Sequence, residues 1–348
     1  MTETTIDFEK IQKTPRVLIE ADLQVIQGDR FQPTGFPDLG AAVYESPDGK
    51  RMILVESAQS VANRLEATCL DESGVDIATA LVGLPYITAN LTGEADGGDY
   101  STRTTSLIEA HRINSPFIIS NEEFKTEFKK RADYEKGKPL NWKKIALALL
   151  YYDPNSLLHG AFLANLEDGR VKVQRAITGF IEAEGINEVV SGGVKNNPLD
   201  PTGKIRANNY DKDVYGNVPY HRMEYTAERI VAYFNFDISL FEGYGLPKEA
   251  KELLIALGLY KVRRLLNQGL RLRTACDFVV KDEIRVTSPN GFVIPDEDVL
   301  LKVIQDRIQA CNSSKLFAAP AITELSTEVK KKGKDKDTDD SDSIDETD

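Results

Sequence analysis

From Leu270 to Val280 the chain reads Leu-Arg-Leu-Arg-Thr-Ala-Cys-Asp-Phe-Val-Val, an alternation that a β-strand sorts onto two faces. Leu270, Leu272, Cys276, Phe278 and Val280 then point at a core, and Arg271, Arg273 and Asp277 point away from it. The two arginines become a basic platform on a sheet, or a solvated strand in which they shield apolar neighbours. The preceding segment, Pro247 to Gln268, carries Lys261, Arg263 and Arg264 near its end, and Gly269 follows as a helix stop. Positive charge therefore converges on one helix-to-strand junction.

The rest of the chain reads as mixed α and β. Arg16 to Ile26 alternates with Val17, Ile19, Ala21, Leu23 and Val25 on one face, which predicts a central strand. A Gly/Pro-rich loop from Gly28 to Gly40 leads into a hairpin, Ala41 to Glu45 and Arg51 to Val55, turning at Asp48-Gly49. Further strands are expected at Ser106 to Ile118, Leu157 to Ala164, Val171 to Ile181 and Arg229 to Ile238. Helices are expected at Ser57 to Leu70, Asn121 to Arg131, Asn141 to Tyr151, Lys248 to Gln268 and Asp296 to Cys311, the last with Asp296 as N-cap. This mixture is an α+β sandwich carrying excursions. The largest excursion, Asn187 to Pro219, is rich in Gly, Pro and Asn, with Lys195, Lys204, Arg206 and Lys212 spaced through it.

Charge is unevenly placed. The net charge is −12, but residues 1–100 hold 7 basic against 17 acidic residues, and 330–348 hold 5 lysines against 8 acids. Residues 101–329 are therefore close to neutral, and Arg103 to Arg175 has 13 basic and 9 acidic residues, so basic surface for a nucleic acid is available. The tail from Lys330 cannot bury apolar area and is expected to be disordered, behind a linker at 316–329. No run of eighteen apolar residues and no secretory pattern at the start predict a cytoplasmic protein with no membrane partner. Cys69, Cys276 and Cys311 are too far apart for a zinc-type pair and read as buried thiols.

Two further segments offer chemistry. In the helix opened by Ser57, the apolar side is Val61, Ala62, Leu65 and Cys69, and Gln59, Ser60, Asn63 and Arg64 face the other way. Ser57, Gln59, Ser60 and Arg64 beside a helix N-terminus could cradle a phosphate, or Ser57 could be an ordinary cap. His111 and Arg112 could contact phosphate or stack on a base, or could be structural. His159 sits in an apolar run and reads as core; His221 beside Arg222 says nothing alone. Phosphate-loop, dinucleotide, nucleophile-elbow and zinc-protease motifs are absent, and the three histidines have no metal-ligand spacing.

Five blocks carry a family resemblance in order: Glu56 to Glu66 (ESAQSVANRLE), Glu109 to Pro116 (EAHRINSP), Asp153 to Gly160 (DPNSLLHG), Ser191 to Asn196 (SGGVKN) and Gly269 to Asp277. They resemble the guide-RNA-binding backbone subunit of type I CRISPR surveillance (Cascade) complexes, within the Cas-seven superfamily and nearest subtype I-G, formerly I-U, over roughly residues 10–315. The resemblance implies a modified RNA-recognition-motif (ferredoxin-like) palm with inserted finger and thumb elements, the thumb at 187–219. It implies a non-catalytic protein without metal or cofactor that polymerises with copies of itself along crRNA. Bases would be left to pair with target DNA, beside a large subunit and a guide-end-capping or processing subunit. Candidate RNA-binding residues are then Ser57, Gln59, Ser60, Asn63, Arg64, His111, Arg112, Lys195, Lys204, Arg206, Arg222, Arg271 and Arg273. No strand carries the aromatic-rich signature by which that motif stacks bases. The alternative is a type III-like subunit that cleaves RNA with a loop aspartate, for which Asp29 and Asp38 stand in the loop after the first strand.

Overall fold

The alternation expected from Arg16 is realised in a computed structural model, which describes residues 5–36, 38–95, 98–202 and 216–329. In strand β1 (Arg16–Val25), Val17, Ile19, Ala21 and Leu23 are buried while Arg16, Leu18 and Gln24 are exposed. Following it, helix α1 (Ala58–Ala67), strands β2 (Ile177–Glu184) and β3 (Arg229–Asp237), helix α2 (Lys248–Asn267) and strand β4 (Cys276–Val280) complete the central unit. β1 pairs with β3 from Arg16↔Asp237 to Leu23↔Ile230 and with β4 from Leu23↔Val280 to Val25↔Phe278. β3 pairs in turn with β2, so the order is β4-β1-β3-β2 with every neighbour antiparallel. That connectivity is the β-α-β-β-α-β arrangement expected. Leu270–Arg273 extends the sheet beyond β4, and Arg51–Glu56 and Val43–Glu45 extend it beyond β2, the latter two turning at Asp48-Gly49 with Gly49 at φ 81°.

α2 is buried on nearly every side because it lies between the sheet and the helix Glu297–Ser313. Its crossing over β3 is fixed at Gly258, where an added Cβ would sit 2.5 Å from two ring carbons of the buried Phe236. Only a residue without a side chain lets the helix approach the sheet this closely.

Several expectations are corrected. Ser106 to Ile118 is not a strand: it forms turns, a 3₁₀ turn at Arg112–Asn114 and a short helix, Pro116–Ile119, because Pro116 takes the first helical position and the Ser115 hydroxyl accepts from Phe117 N–H. Leu157 to Ala164 is divided by Gly160 (φ 78°) into the helix Asn155–His159 and the short strand Ala161–Phe162. Val171 to Ile181 is likewise two strands, Lys172–Val173 and the start of β2. The Asn187 to Pro219 excursion is not a loop throughout. Asn187–Lys195 pairs with Val218–Thr226 as an antiparallel ribbon inserted between β2 and β3. The expected linker at 316–329 contains the strand Ile322–Val329, which pairs in parallel with Tyr86–Ala95, itself half of an unforeseen hairpin with Gly98–Thr105. Only Leu325 of that strand is buried, so its alternation is too faint to read. Lys204, Arg206, Lys212 and the tail lie outside the described residues.

The helices Glu122–Ala132, Trp142–Tyr152, Lys248–Asn267 and Glu297–Ser313 fall where the periodicity predicted them. All three cysteines are buried and free. Among the described residues no helix is long and apolar enough to cross a membrane.

The Gly258 contact makes a test. Overpacking costs about 1–3 kcal/mol, more than the roughly 1 kcal/mol that alanine adds as a better helix former, so Gly258→Ala is expected to be net destabilising. Urea unfolding should show a lower midpoint at unchanged slope. A variant more stable than the parent would contradict the packing described.

Candidate nucleic-acid interface

Glu56 ends the Arg51–Glu56 strand and is fully buried. A carboxylate in that position is tolerable only if donors surround it. Its carboxylate accepts from the Ser60 hydroxyl, from Arg64 Nε at 3.0 Å and from the Arg273 guanidinium. Ser60 and Arg64 stand four residues apart on one side of α1, so one helix face delivers both. The Ser57 hydroxyl caps the same helix by accepting from Ser60 N–H at 3.3 Å.

Each arginine also reaches backbone elsewhere. Arg64 donates to Leu272 C=O at 2.6 Å and Arg271 C=O at 3.4 Å. Arg273 donates to Gln32 C=O and Val55 C=O, both at 3.1 Å, and to Cys276 Sγ at 3.2 Å. One buried carboxylate thus ties together α1, the loop after β1 and the turn into β4. Desolvation pulls Arg64 below the usual guanidinium value and pushes the Cys276 thiol up to about 11.

This corrects the expected platform. Arg271 is exposed, opposite Asp277 in the ladder, but the register shifts between Arg271 and Arg273, and Ala275 takes φ 58° in the turn that follows. The bulge swings Arg273 inward to Glu56, so the two arginines do not share one outer face.

The remaining candidates separate into held and free residues. Arg112 is buried, donating to Glu66 Oε1 at 2.5 Å and Gly160 C=O at 3.0 Å, and is therefore built into the fold, whereas His111 beside it is exposed. On the outer side of α1, Gln59 Nε2 donates to Asn63 Oδ1 at 2.9 Å and both residues are exposed. Arg175, which sequence reasoning missed, joins them by donating to Gln59 Oε1 at 3.1 Å and to His159 C=O at 3.3 Å. His159 is core, as expected, and burial above all, with Lys261, Arg112 and Arg175 nearby, holds its imidazole well below the usual value. Asp153, in the same block, accepts from Asn155 N–H and the Ser156 hydroxyl at 3.0 Å, and burial pushes it up to about 6.

A groove of about 760 Å³ opens at the root of the ribbon, with Gln32, Thr34 and Arg273 on one side and His221, Arg222 and Met223 on the other. The ribbon register sets Ser191 opposite Arg222 and Gly192 opposite His221. At Gly192 a Cβ would meet Tyr220 C=O at 2.5 Å, so glycine is required for the strands to pair this closely. Arg222 lies 3.6 Å from Glu224 and 5.8 Å from the Tyr220 ring; Arg30 shares the same carboxylate at 3.3 Å. Lys195 is exposed at the far end, opposite Val218. Asp29 and Asp38 are exposed in the loop after β1, and no group of metal-ligating side chains occurs among the described residues.

The uncovered face of the central sheet has a different character. Glu20, Asp22, Glu182 and Glu184 stand on it, and Arg229 and Arg285 are bound to Asp22 at 2.6 and 3.0 Å. Phe180 and Tyr233 pack there with ring centroids 5.2 Å apart. Acids outnumber arginines on this face, which disfavours a phosphate backbone there, whereas along the ribbon root and α1 the arginines Arg64, Arg222 and Arg273 are paired but each about a quarter to a third exposed.

Residues 17–188 match the model of the family described as CRISPR-associated protein GSU0053. Among solved structures, the chain is similar to one titled "CRISPR RNA-guided surveillance complex, pre-nicking", at 14% identity over 86% of this chain and 89% of that one, with a TM-score of 0.38. It is also similar to the crystal structure of Thermofilum pendens Csc2, at 9% identity over 89% and 83%, with a TM-score of 0.31. At those scores neither alignment bears on the site. No curated protein matches the chain.

Glu56→Gln removes the charge both guanidiniums share while keeping the shape. Breaking a buried pair costs 3–5 kcal/mol, and with Arg64 and Arg273 each about one-quarter to one-third exposed the loss should sit near the bottom of that range, about 3 kcal/mol. Chemical denaturation measures it directly. A loss below about 0.5 kcal/mol, the size of an ordinary surface change, would show that Glu56 is not the centre of this network.

Proposed function

We propose that this chain, a CRISPR-associated protein of the GSU0053 family over residues 17–188, is a non-catalytic backbone subunit that holds a CRISPR guide RNA by its phosphates. The observation that carries the reading is the groove at the ribbon root, where Arg273, held in place by Glu56, stands across from His221 and Arg222. A fixed guanidinium loses little freedom on meeting a phosphate, and backbone contacts bind without reading sequence, as a guide with a variable spacer requires. α1 continues this edge with Gln59, Asn63 and Arg64, joined by Arg175.

In this reading the ribbon is the thumb and the central sheet with its two helices is the palm. Copies of the chain assemble head to tail along one crRNA, since a heterologous contact that does not close gives a filament. Exposed bases then pair with target DNA, and a large subunit and an end-capping subunit complete a type I complex of subtype I-G. Ser57 and Ser60 serve the fold first, as cap and as donor to Glu56, and Arg112 serves it alone.

Affinity for guide RNA is expected to be insensitive to spacer sequence and steep in salt, with about −0.7 in log affinity per log salt for each phosphate neutralised. Two guides with unrelated spacers, compared by filter binding across a salt series, should differ little. Arg222→Ala should lower the slope without changing the thermal midpoint. A hundredfold difference between spacers at matched salt would replace this reading with base recognition.

A further inference from the structure

We propose a second nucleic-acid contact outside the ribbon-root groove: a single-strand-binding patch formed by Trp142 and the lysines around it. Residues 125–144 hold eight cations, Lys125, Lys129, Lys130, Arg131, Lys136, Lys138, Lys143 and Lys144, against three acids in a chain of net charge −12. The fold gathers much of this charge at one end of a helix pair. Glu122–Ala132 ends at Asp133, in a left-handed conformation, and Trp142–Tyr152 begins nine residues later. Lys144 Nζ lies 3.4 Å from Asp133, and Asn141 Nδ2 donates to the same carboxylate at 3.4 Å, so the two helix ends meet there.

Some of the cations are committed elsewhere. Arg131 lies 3.4 Å over the Tyr151 ring and Lys129 pairs with Glu167. Lys125 is half-buried beside Glu122, and the others face solvent. Lys138 and Lys144 make only exposed pairs, which contribute little, and Lys136 and Lys143 are exposed with no carboxylate in ion-pairing range among the described residues. Lysines alone would read as a solvated turn. Among them, however, stands Trp142, the only tryptophan of the chain, left 40% exposed.

A large aromatic surface on a segment with solvent-facing lysines suits a strand whose every residue offers a phosphate and a planar base. Stacking of this kind tolerates any sequence, and each phosphate adds salt dependence. A run of acidic residues in a protein partner would satisfy the lysines but would give the indole no planar surface. None of these residues lines the ribbon-root groove, so the patch does not depend on the guide-binding reading.

Because Trp142 is the sole tryptophan, its emission reports binding at this patch and nowhere else. Titrating the full-length protein with a poly(dT) oligonucleotide should quench that emission. In the variant Lys136→Ala/Lys138→Ala/Lys143→Ala/Lys144→Ala, half-quenching should require at least about tenfold more oligonucleotide, with a salt slope smaller by about 2 to 3, while guide affinity and thermal midpoint stay unchanged. Trp142→Ala, followed by anisotropy of labelled oligonucleotide in the presence of guide RNA, should lose the same binding. Absence of quenching, quenching unaltered by the four lysine changes, or quenching by polyglutamate but not by poly(dT) would each overturn the assignment.

Discussion

The middle of the cationic edge, Arg64 and Arg273, is organised by one buried carboxylate. Glu56 is held by the Ser60 hydroxyl and by Arg64 and Arg273, and those two arginines reach on to the backbone of Gln32, Val55, Arg271 and Leu272. Three segments that are distant in sequence, the loop after β1, the first turns of α1 and the turn before β4, are thereby fixed relative to one another. The arrangement is asymmetric. Glu56 is enclosed and the guanidiniums are partly open, so their outer edges remain available to an anion while their positions are set from inside. Such an arrangement raises affinity by removing the ordering cost of two long side chains before the ligand arrives.

The central sheet supplies the frame, and its open face carries four carboxylates. Its uncovered face keeps Glu20, Asp22, Glu182 and Glu184 beside Arg229 and Arg285, and these pairs neutralise one another at close range. RNA-recognition motifs bind on such a face by aromatic stacking, but here the Phe180 and Tyr233 pair sits among carboxylates. The ribbon inserted between β2 and β3 instead brings His221 and Arg222 to the side of the sheet where Arg273 emerges. The groove is formed jointly by this insertion and the loop after β1.

Much of the frame was legible in the sequence because burial imposes clean periods. β1 alternates cleanly and β3 does so apart from the buried Val231, and the four long helices carry periodic apolar residues. Legibility failed where a local rule overrode the pattern. Pro116 and the Ser115 cap turned an apolar strand-like run into a short helix, Gly160 divided another, and Ile322–Val329 is so exposed that its pairing leaves almost no hydrophobic trace. The site was legible in part. The sequence marks Arg64, Ser57 and Ser60 as phosphate candidates, but Arg64 and Ser60 bond Glu56 and Ser57 caps the helix. A charged residue closing the apolar run Met52-Ile53-Leu54-Val55, with Ser60 and Arg64 at helical spacing behind it, was the available signal. Arg175 left none, since its place beside Gln59 depends on a long-range approach of two segments.

The central claim is that guide RNA runs along the ribbon root and α1 rather than across the open sheet. Ultraviolet crosslinking of uridine-containing guide RNA to the protein, followed by digestion and mass spectrometry of the adducts, locates the path directly. The account predicts adducts on peptides spanning 29–35, 57–64, 217–226 and 270–276. Adducts concentrated on Phe180 and Tyr233, with none at the ribbon root, would contradict it.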